Sequence, residues 1–348
     1  MQFGAHAFLD WTQAEPETGG SFEDREISVL RFDATRTDGP ATLVLEADVS
    51  QHEFTVHDAF LDWRLGDHGP TLRIGHFKEP NGLEQLTSMY ARTFTRTNGQ
   101  MKINGIDRRL GVALRDYRGP FTIEGALFAS NVNEEDLANG WSASGRLAYS
   151  AGEGDHISHF GVSTRYRESD DARFGYSEDA YSFAIGKIVK TSSIGESDIF
   201  VGLEAAHQIG PFSIQAEASR TFVNCGTCVS DVELDAAYVD VSYVFGGHRS
   251  YTAHGGKFGR THIDEPLGEG GAGAWELAAR IDYVDLEDEW VLGGTQTTGL
   301  VGVNYYANEN VRLQLNYAHS EIDAPTTGAS RDVDAVTLRL QLDFSARH

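Results

Sequence analysis

The sequence predicts an all-β protein: a transmembrane antiparallel β-barrel of sixteen strands, with long loops folded into the lumen. Three observations point there. Sixteen stretches alternate apolar and polar side chains with period two, as a strand between two different media must. Tight Gly/Pro turns largely alternate with long polar connections. No window approaches about 18 consecutive apolar residues, which excludes a spanning helix but not a barrel strand, which needs only about 9–11 residues.

In chain order the predicted strands are Phe3 to Trp11, Ile27 to Thr35, Ala41 to Val49, Thr55 to Arg64, Thr71 to Phe77 and Arg109 to Arg115. They continue with Phe121 to Ala129, Trp141 to Tyr149, His156 to Tyr166, Ile199 to Ile209, Phe212 to Phe222 and Glu233 to Phe245. The last four are Trp275 to Asp285, Gly299 to Tyr306, Val311 to Glu321 and Asp332 to Phe344. Asp179 to Lys190 alternates poorly and is expected to be loop. Tight turns read Asp38–Pro40, Gly66–Pro70, Tyr117–Pro120, Ile209–Pro211 and Ala307–Asn310. Long connections include Lys78–Arg108 and Arg167–Asp198, both expected to fold inward, the first as the constriction of a pore. Gly246–Gly273 is the exception, long where the parity asks for a turn.

On Val311–Tyr317 the apolar face is Val311, Leu313, Leu315 and Tyr317, against Arg312, Gln314 and Asn316. Lipid outside and water inside account for such faces, and lipid requires the sheet to close so that every backbone group is paired. Aromatics near strand ends (Trp11, Trp63, Trp141, Tyr149, Tyr306) are expected in interfacial girdles. At sixteen strands the interior is too wide for side chains to fill.

The balance of 52 Asp+Glu against 28 Lys+Arg, net charge -24, argues against nucleic acid as a partner. The opening MQFGAHAF enters a strand-like pattern at once, so a mature chain with an initiator Met is expected. Cys225 and Cys228, in FVNCGTCVS, are expected to close a small loop disulfide. A redox or metal motif is the alternative for this CxxC, but a metal site would need more ligands nearby, and none are obvious.

Several segments resemble the phosphate-selective porin O/P family of outer-membrane porins. The strongest runs from Ala274 to Ile322, AWELAARIDYVDLEDEWVLGGTQTTGLVGVNYYANENVRLQLNYAHSEI. Gly202–Glu217, Ile74–Ser88 and Arg108–Leu114 are also similar. The resemblance implies a homotrimeric barrel in the bacterial outer membrane, surrounded by lipid and lipopolysaccharide, that passes small anions by diffusion. It also implies a ladder of alternating arginines in the loop matching Ala172–Ser182. Here that loop reads ARFGYSEDAYS, with Arg173 alone, then Gly175, Ser177, Glu178 and Asp179. Phe344 sits where such barrels carry a terminal aromatic, but Ser345–His348 follow it.

A pore selects by the charge and size of its narrowest ring. The candidates in the long insert are Lys78, Arg92, Arg96, Lys102 and Arg108, beside Glu79, Glu84 and Asp107. The spacing of Arg92 and Arg96 would set both on one face of a helical turn. Arg31, Arg73, Arg109, Arg115 and Arg146 fall on the lumen parity of their strands, and Arg173 is the ladder remnant. Guanidinium forks pair well with oxyanions, but lumen arginines can equally tether acidic loops. No cofactor is expected. Ca²⁺ at the acidic loops Glu15–Glu26, Asn133–Asp136 and Glu265–Glu269 is a minor alternative to a solvated surface. His6, His57, His159 and His207 lack partner spacing. There is no GxSxG, HExxH, P-loop or GxGxxG, and His319 and Ser320, being adjacent, point to opposite faces, so no enzyme is expected. Competing with the anion porin are a general or weakly cation-selective pore and a plugged structural barrel.

Overall fold

A computed structural model describes residues 1–17, 19–134, 140–169, 173–182, 184–225, 229–324 and 331–347. The strands in chain order are β1 (Gln2–Pro16), β2 (Phe22–Asp38), β3 (Ala41–Asp48), β4 (Thr55–Arg64), β5 (Thr71–Lys78), β6 (Arg108–Arg118), β7 (Phe121–Phe128), β8 (Trp141–Glu153), β9 (His156–Glu168) and β10 (Ser177–Glu178). They continue as β11 (Val189–Lys190), β12 (Ser197–Ile209), β13 (Phe212–Asn224), β14 (Val232–Phe245), β15 (Gly247–Thr252), β16 (Lys257–Ile263), β17 (Ala274–Asp288), β18 (Val291–Asn308), β19 (Val311–Asp323) and β20 (Arg331–Arg347). Sixteen of them form one closed antiparallel barrel; β10–β11 and β15–β16 are separate two-stranded ribbons. Each of the sixteen predicted stretches lies on one barrel strand. The seam is β1 against β20, in register from Gln2↔Arg347 to Pro16↔Val333.

The alternation has the predicted sense. On β19, Leu313, Leu315 and Tyr317 are 42% to 46% exposed, whereas Arg312, Gln314 and Asn316 are 4% exposed or less. The exposed side chains face outward as an apolar band, and closure leaves the sheet no unpaired edge. No helix of the described residues is long and apolar enough to cross a membrane. Tight turns at one end need left-handed backbone, supplied by Gly119 (φ 59) in the Tyr117–Pro120 turn and Gly210 (φ 56) in the Ile209–Pro211 turn.

Four features depart from the sequence reading or go beyond it. Tyr306 points inward, its hydroxyl donating to Glu276 at 2.7 Å, and Tyr305 is the outward ring, 4.6 Å from Trp275. The alternation through Asn304 decides this; Tyr306 belongs to the polar parity. The long turn Gly246–Gly273 holds the β15–β16 hairpin, bent into the barrel. Arg146 donates to the carbonyls of Gly255 (3.0 Å) and Gly256 (2.9 Å), and Tyr251 shares hydrogen bonds of 2.7 Å with Ser150 and His159. The lumen is also not wholly polar. Toward the long-loop end, Tyr176, Ile188, Val189 and Ile194 bury against Val232, Leu234, Val284, Leu286 and Ile322 of the wall. This true hydrophobic core fills one side of the barrel. Finally, β20 runs past the outward-facing Phe344, with Ser345 and Ala346 paired to Gly4 and Phe3.

Candidate functional site

The segment between β5 and β6 carries two short helices, α1 (Leu83–Leu86) and α2 (Gly99–Asn104), with a 3-10 turn at Met89–Ala91. Both helices have built caps. The Glu217 carboxylate of β13 accepts from the Leu83 and Glu84 amides at 2.7 and 3.0 Å. The Asn98 side chain accepts from the Met101 amide, and Gly105 (φ 54) closes the C-terminus of α2 in the left-handed region.

The far wall holds this segment by its backbone. The Thr93 carbonyl accepts from Asn304 (3.0 Å), Gln314 (3.2 Å) and Arg312 (3.3 Å). The Thr95 amide donates to Asn316 at 2.8 Å, and the Gly99 amide to Asp282 at 3.0 Å. Arg280, fully buried, donates to Glu84 at 2.5 Å and grips Asp240 with two bonds of 2.6 and 2.7 Å. The insert therefore lies across the lumen against β13, β14 and β17–β19.

One cavity, of about 540 Å³, lies between the insert and the wall β2–β6, room for several waters; another, of about 360 Å³, lies against β18–β20 and the β15–β16 hairpin. Eight cationic side chains line the first, against Glu46, Asp58 and Asp107 among its acids. Five of the cations are paired. Arg73 grips Asp62 with two bonds of 2.7 Å, and Arg115 grips Glu124 with two of 2.8 Å. Arg31 reaches Glu46 (2.8 Å) and Asp48 (3.2 Å), Arg108 reaches Asp58 (2.8 Å), and Lys102 reaches Glu178 (2.7 Å) and Asp179 (2.8 Å). The other three are Lys78, Arg92 and Lys257, which have no carboxylate ion-pair partner among the described residues. Lys78 donates to the Gln85 carbonyl at 2.6 Å, and Arg92 to the Glu84 carbonyl and the Gln85 side chain, each at 3.3 Å. Burial, then the neighbouring Arg115 and Arg73, hold the Lys257 ammonium below its ordinary value.

A further cavity toward the long-loop end contains Arg96, Asp179, Lys187 and Arg339, and it shares Met89, Arg92, Thr97 and Lys102 with the first. The two adjoin across those four side chains and together line a candidate route past the insert. Arg92 and Arg96 do not share a helical face, because Arg92 follows the 3-10 turn with extended backbone (φ -70, ψ 144). Arg96 instead turns to Asp179. Three other candidates lie off the route. Arg109 stands 3.7 Å from Glu79, Arg146 is buried against Glu204 at 2.6 Å, and Arg173 pairs with Glu196 at 3.1 Å.

Sequence reading missed Lys257, Glu217 and Arg280. Lys257 could have been found, since it is one of only five lysines and sits in the one connection that broke the parity. The histidines do have partners: His6 reaches Asp343 across the seam (2.6 Å) and Asp33 of β2 on its other side (3.0 Å), and His159 lies 3.1 Å from Glu204. Cys225 is buried and its amide donates to Asp231, whereas Cys228 lies outside the described residues. Asp136 of the acidic loops lies outside them too. Among the described residues no three His, Cys, Asp or Glu side chains are grouped to hold a metal ion.

The family model described as phosphate-selective porin O and P matches residues 29–344 of this chain. An uncharacterized protein of Caulobacter vibrioides is 28% identical over 320 residues, covering 86% of this chain and 64% of its own. Porin O of Pseudomonas aeruginosa is 25% identical over 319 residues, covering 78% of this chain and 70% of its own. The chain thus spans about two thirds of the length of these curated relatives. Among solved structures, the anion-selective porin from Comamonas acidovorans has a TM-score of 0.66 at 13% identity, covering 99% of this chain and 100% of its own. The trimer form of OmpT from Vibrio cholerae has a TM-score of 0.61 at 12% identity, covering 98% and 99%. At those identities the solved structures establish the barrel fold.

Proposed function

The chain belongs to the phosphate-selective porin O and P family of the bacterial outer membrane, and from that premise we propose that it passes small anions by diffusion along the wall β2–β6. The observation that carries this reading is the lining of the open route. Lys78, Arg92 and Lys257 present positive charge there without a carboxylate partner among the described residues. A cation on a low-dielectric wall raises the local concentration of anions and lowers that of cations. Arg31, Arg73, Arg108 and Arg115 are tethers whose charge is largely spent on their own wall. Preference among anions is therefore modest, and phosphate is one permeant species among others.

The test is the reversal potential of the purified protein in planar bilayers under a KCl gradient. The expected sign is that of Cl⁻ preference, and Lys78→Glu or Arg92→Glu shifts it toward K⁺. A K⁺ preference in the unaltered protein contradicts the reading. We further propose a homotrimer, by likeness to the barrel solved in a trimer form. A heat-labile band of three times the chain mass in mild detergent is the expected observation.

A further inference from the structure

Lys102 lines both cavities of the candidate route, so its charge bears on an ion that crosses from one to the other. Its ammonium donates to Glu178 at 2.7 Å and to Asp179 at 2.8 Å, and lies 4.5 Å from the centre of the Tyr181 ring. Asp179 also accepts from the Arg96 guanidinium. The two carboxylates differ in access. The Glu178 side chain is fully buried, whereas that of Asp179 is 14% exposed and faces the upper cavity beside Lys187. Nor is Asp179 a loosely held counter-ion. Its carbonyl accepts from Gln296 of β18 at 3.1 Å, and it directly follows β10, inside the loop that joins the two strands of the β10–β11 ribbon. Burial works against its ionised form, but Lys102 and Arg96 hold the carboxyl below its ordinary value, so it carries charge.

We propose that Asp179 is a specificity-determining residue of the channel: it covers the charges of Lys102 and Arg96 and sets the anion preference below what the cations of the insert would give alone. A passing ion meets a close ion pair as a dipole, whose field falls off faster than that of a single charge and is screened within about 8 Å at physiological salt. The insert brings cations to the route; a carboxylate from the other inward loop, shared by two of them, removes one unit of their combined charge. This inference rests on the reading of the route as an anion passage.

The experiment compares reversal potentials of folded trimers in planar bilayers. Asp179→Asn should raise the Cl⁻/K⁺ permeability ratio over the unaltered protein by about threefold, the scale of a partly screened charge. Asp179→Glu should leave the ratio unchanged. The double variant Lys102→Met/Asp179→Asn, nearly charge-balanced at the site, should return most of the way to the original ratio. Asp107→Asn, which removes an exposed carboxylate of the lower cavity, should give a smaller rise than Asp179→Asn. The proposal is overturned if Asp179→Asn trimers of normal heat stability show no rise, if Asp107→Asn matches them, or if the rise survives loss of Lys102. Should Asp179→Asn fail to assemble, the double variant decides: a ratio well below the original means that Lys102 was acting uncovered. The ratio of the unaltered protein tests the passage itself, and the changes relative to it test Asp179.

Discussion

The walls β2–β6 and β13–β19 share one pattern, apolar outward and polar inward, yet they do opposite things. On β2–β6 most inward charges find partners on the same wall or on the next strand, although Lys78 turns to the Gln85 carbonyl of the insert. Arg73 pairs with Asp62 directly across β4–β5, and Arg31 with Asp48 directly across β2–β3. On β13–β19 the inward groups reach to the insert: Glu217 to two amides, Asn304, Arg312 and Gln314 to one carbonyl, Asn316 to an amide, Arg280 to Glu84. Buried polar groups must be paired. A wall that largely satisfies itself offers a loop few contacts, while a wall with spare donors and acceptors captures one. The proposed route is eccentric for that reason, and the hydrophobic core beneath the second loop lies on the same side as the docked insert.

The largest break in this comparison should come from Arg280→Met. It strands the buried carboxylates of Glu84 and Asp240, a loss of about 3–5 kcal/mol. Thermal unfolding should show the loss, and single-channel records should become noisy as the insert leaves its wall. Glu217→Gln removes one of the two acceptors at the start of α1. It should cost about 1–3 kcal/mol, measured the same way. On the other wall, Arg73→Met should change stability by only about 1 kcal/mol or less, because Asp62 stays in contact with water. Its effect should be on selectivity, shifting the reversal potential toward K⁺ without added noise. If Arg73→Met produced the noise and Arg280→Met did not, the assignment of roles to the two walls would be reversed.

Legibility followed the same division. Lipid imposes its period on every strand, so sixteen strands could be counted from alternation alone. Docking of the insert could not, because its partners are remote: Glu84 and Arg280 are 196 positions apart. The spacing of Arg92 and Arg96 suggested a helix, but the contacts of Thr93 and Thr95 with the wall hold that stretch extended. Tyr306 was misassigned because an aromatic near a strand end fits the girdle pattern whichever way it points. The carboxylates at 178 and 179 were visible as a departure from an arginine ladder. That they turn onto Lys102 and Arg96 was not, since both cations lie in a different loop.

The smallest expected effect is one of pH. Burial, opposed by Lys102 and reinforced by Asp179 and Asp282, pushes the Glu178 carboxyl up to about 8. It is protonated at neutral pH and leaves Asp179 as the charged partner. A raised carboxyl favours the folded loop fully below its ordinary value of 4.5, and that contribution is lost as pH rises through about 8. The second negative charge appears over the same window. Anion preference should therefore fall slightly between pH 7 and 9, and Glu178→Gln should flatten the profile; a fall that persists in Glu178→Gln would assign the titration elsewhere.

The side on which ions pass can be read directly by cysteine labelling. Arg73→Cys places a thiol on the open wall and Asn316→Cys places one behind the docked insert. With a small anionic thiol-reactive sulfonate added to open channels, current should drop quickly in Arg73→Cys and stay constant in Asn316→Cys. Rapid block at position 316 with none at 73 would put the passage on the other wall and contradict the account.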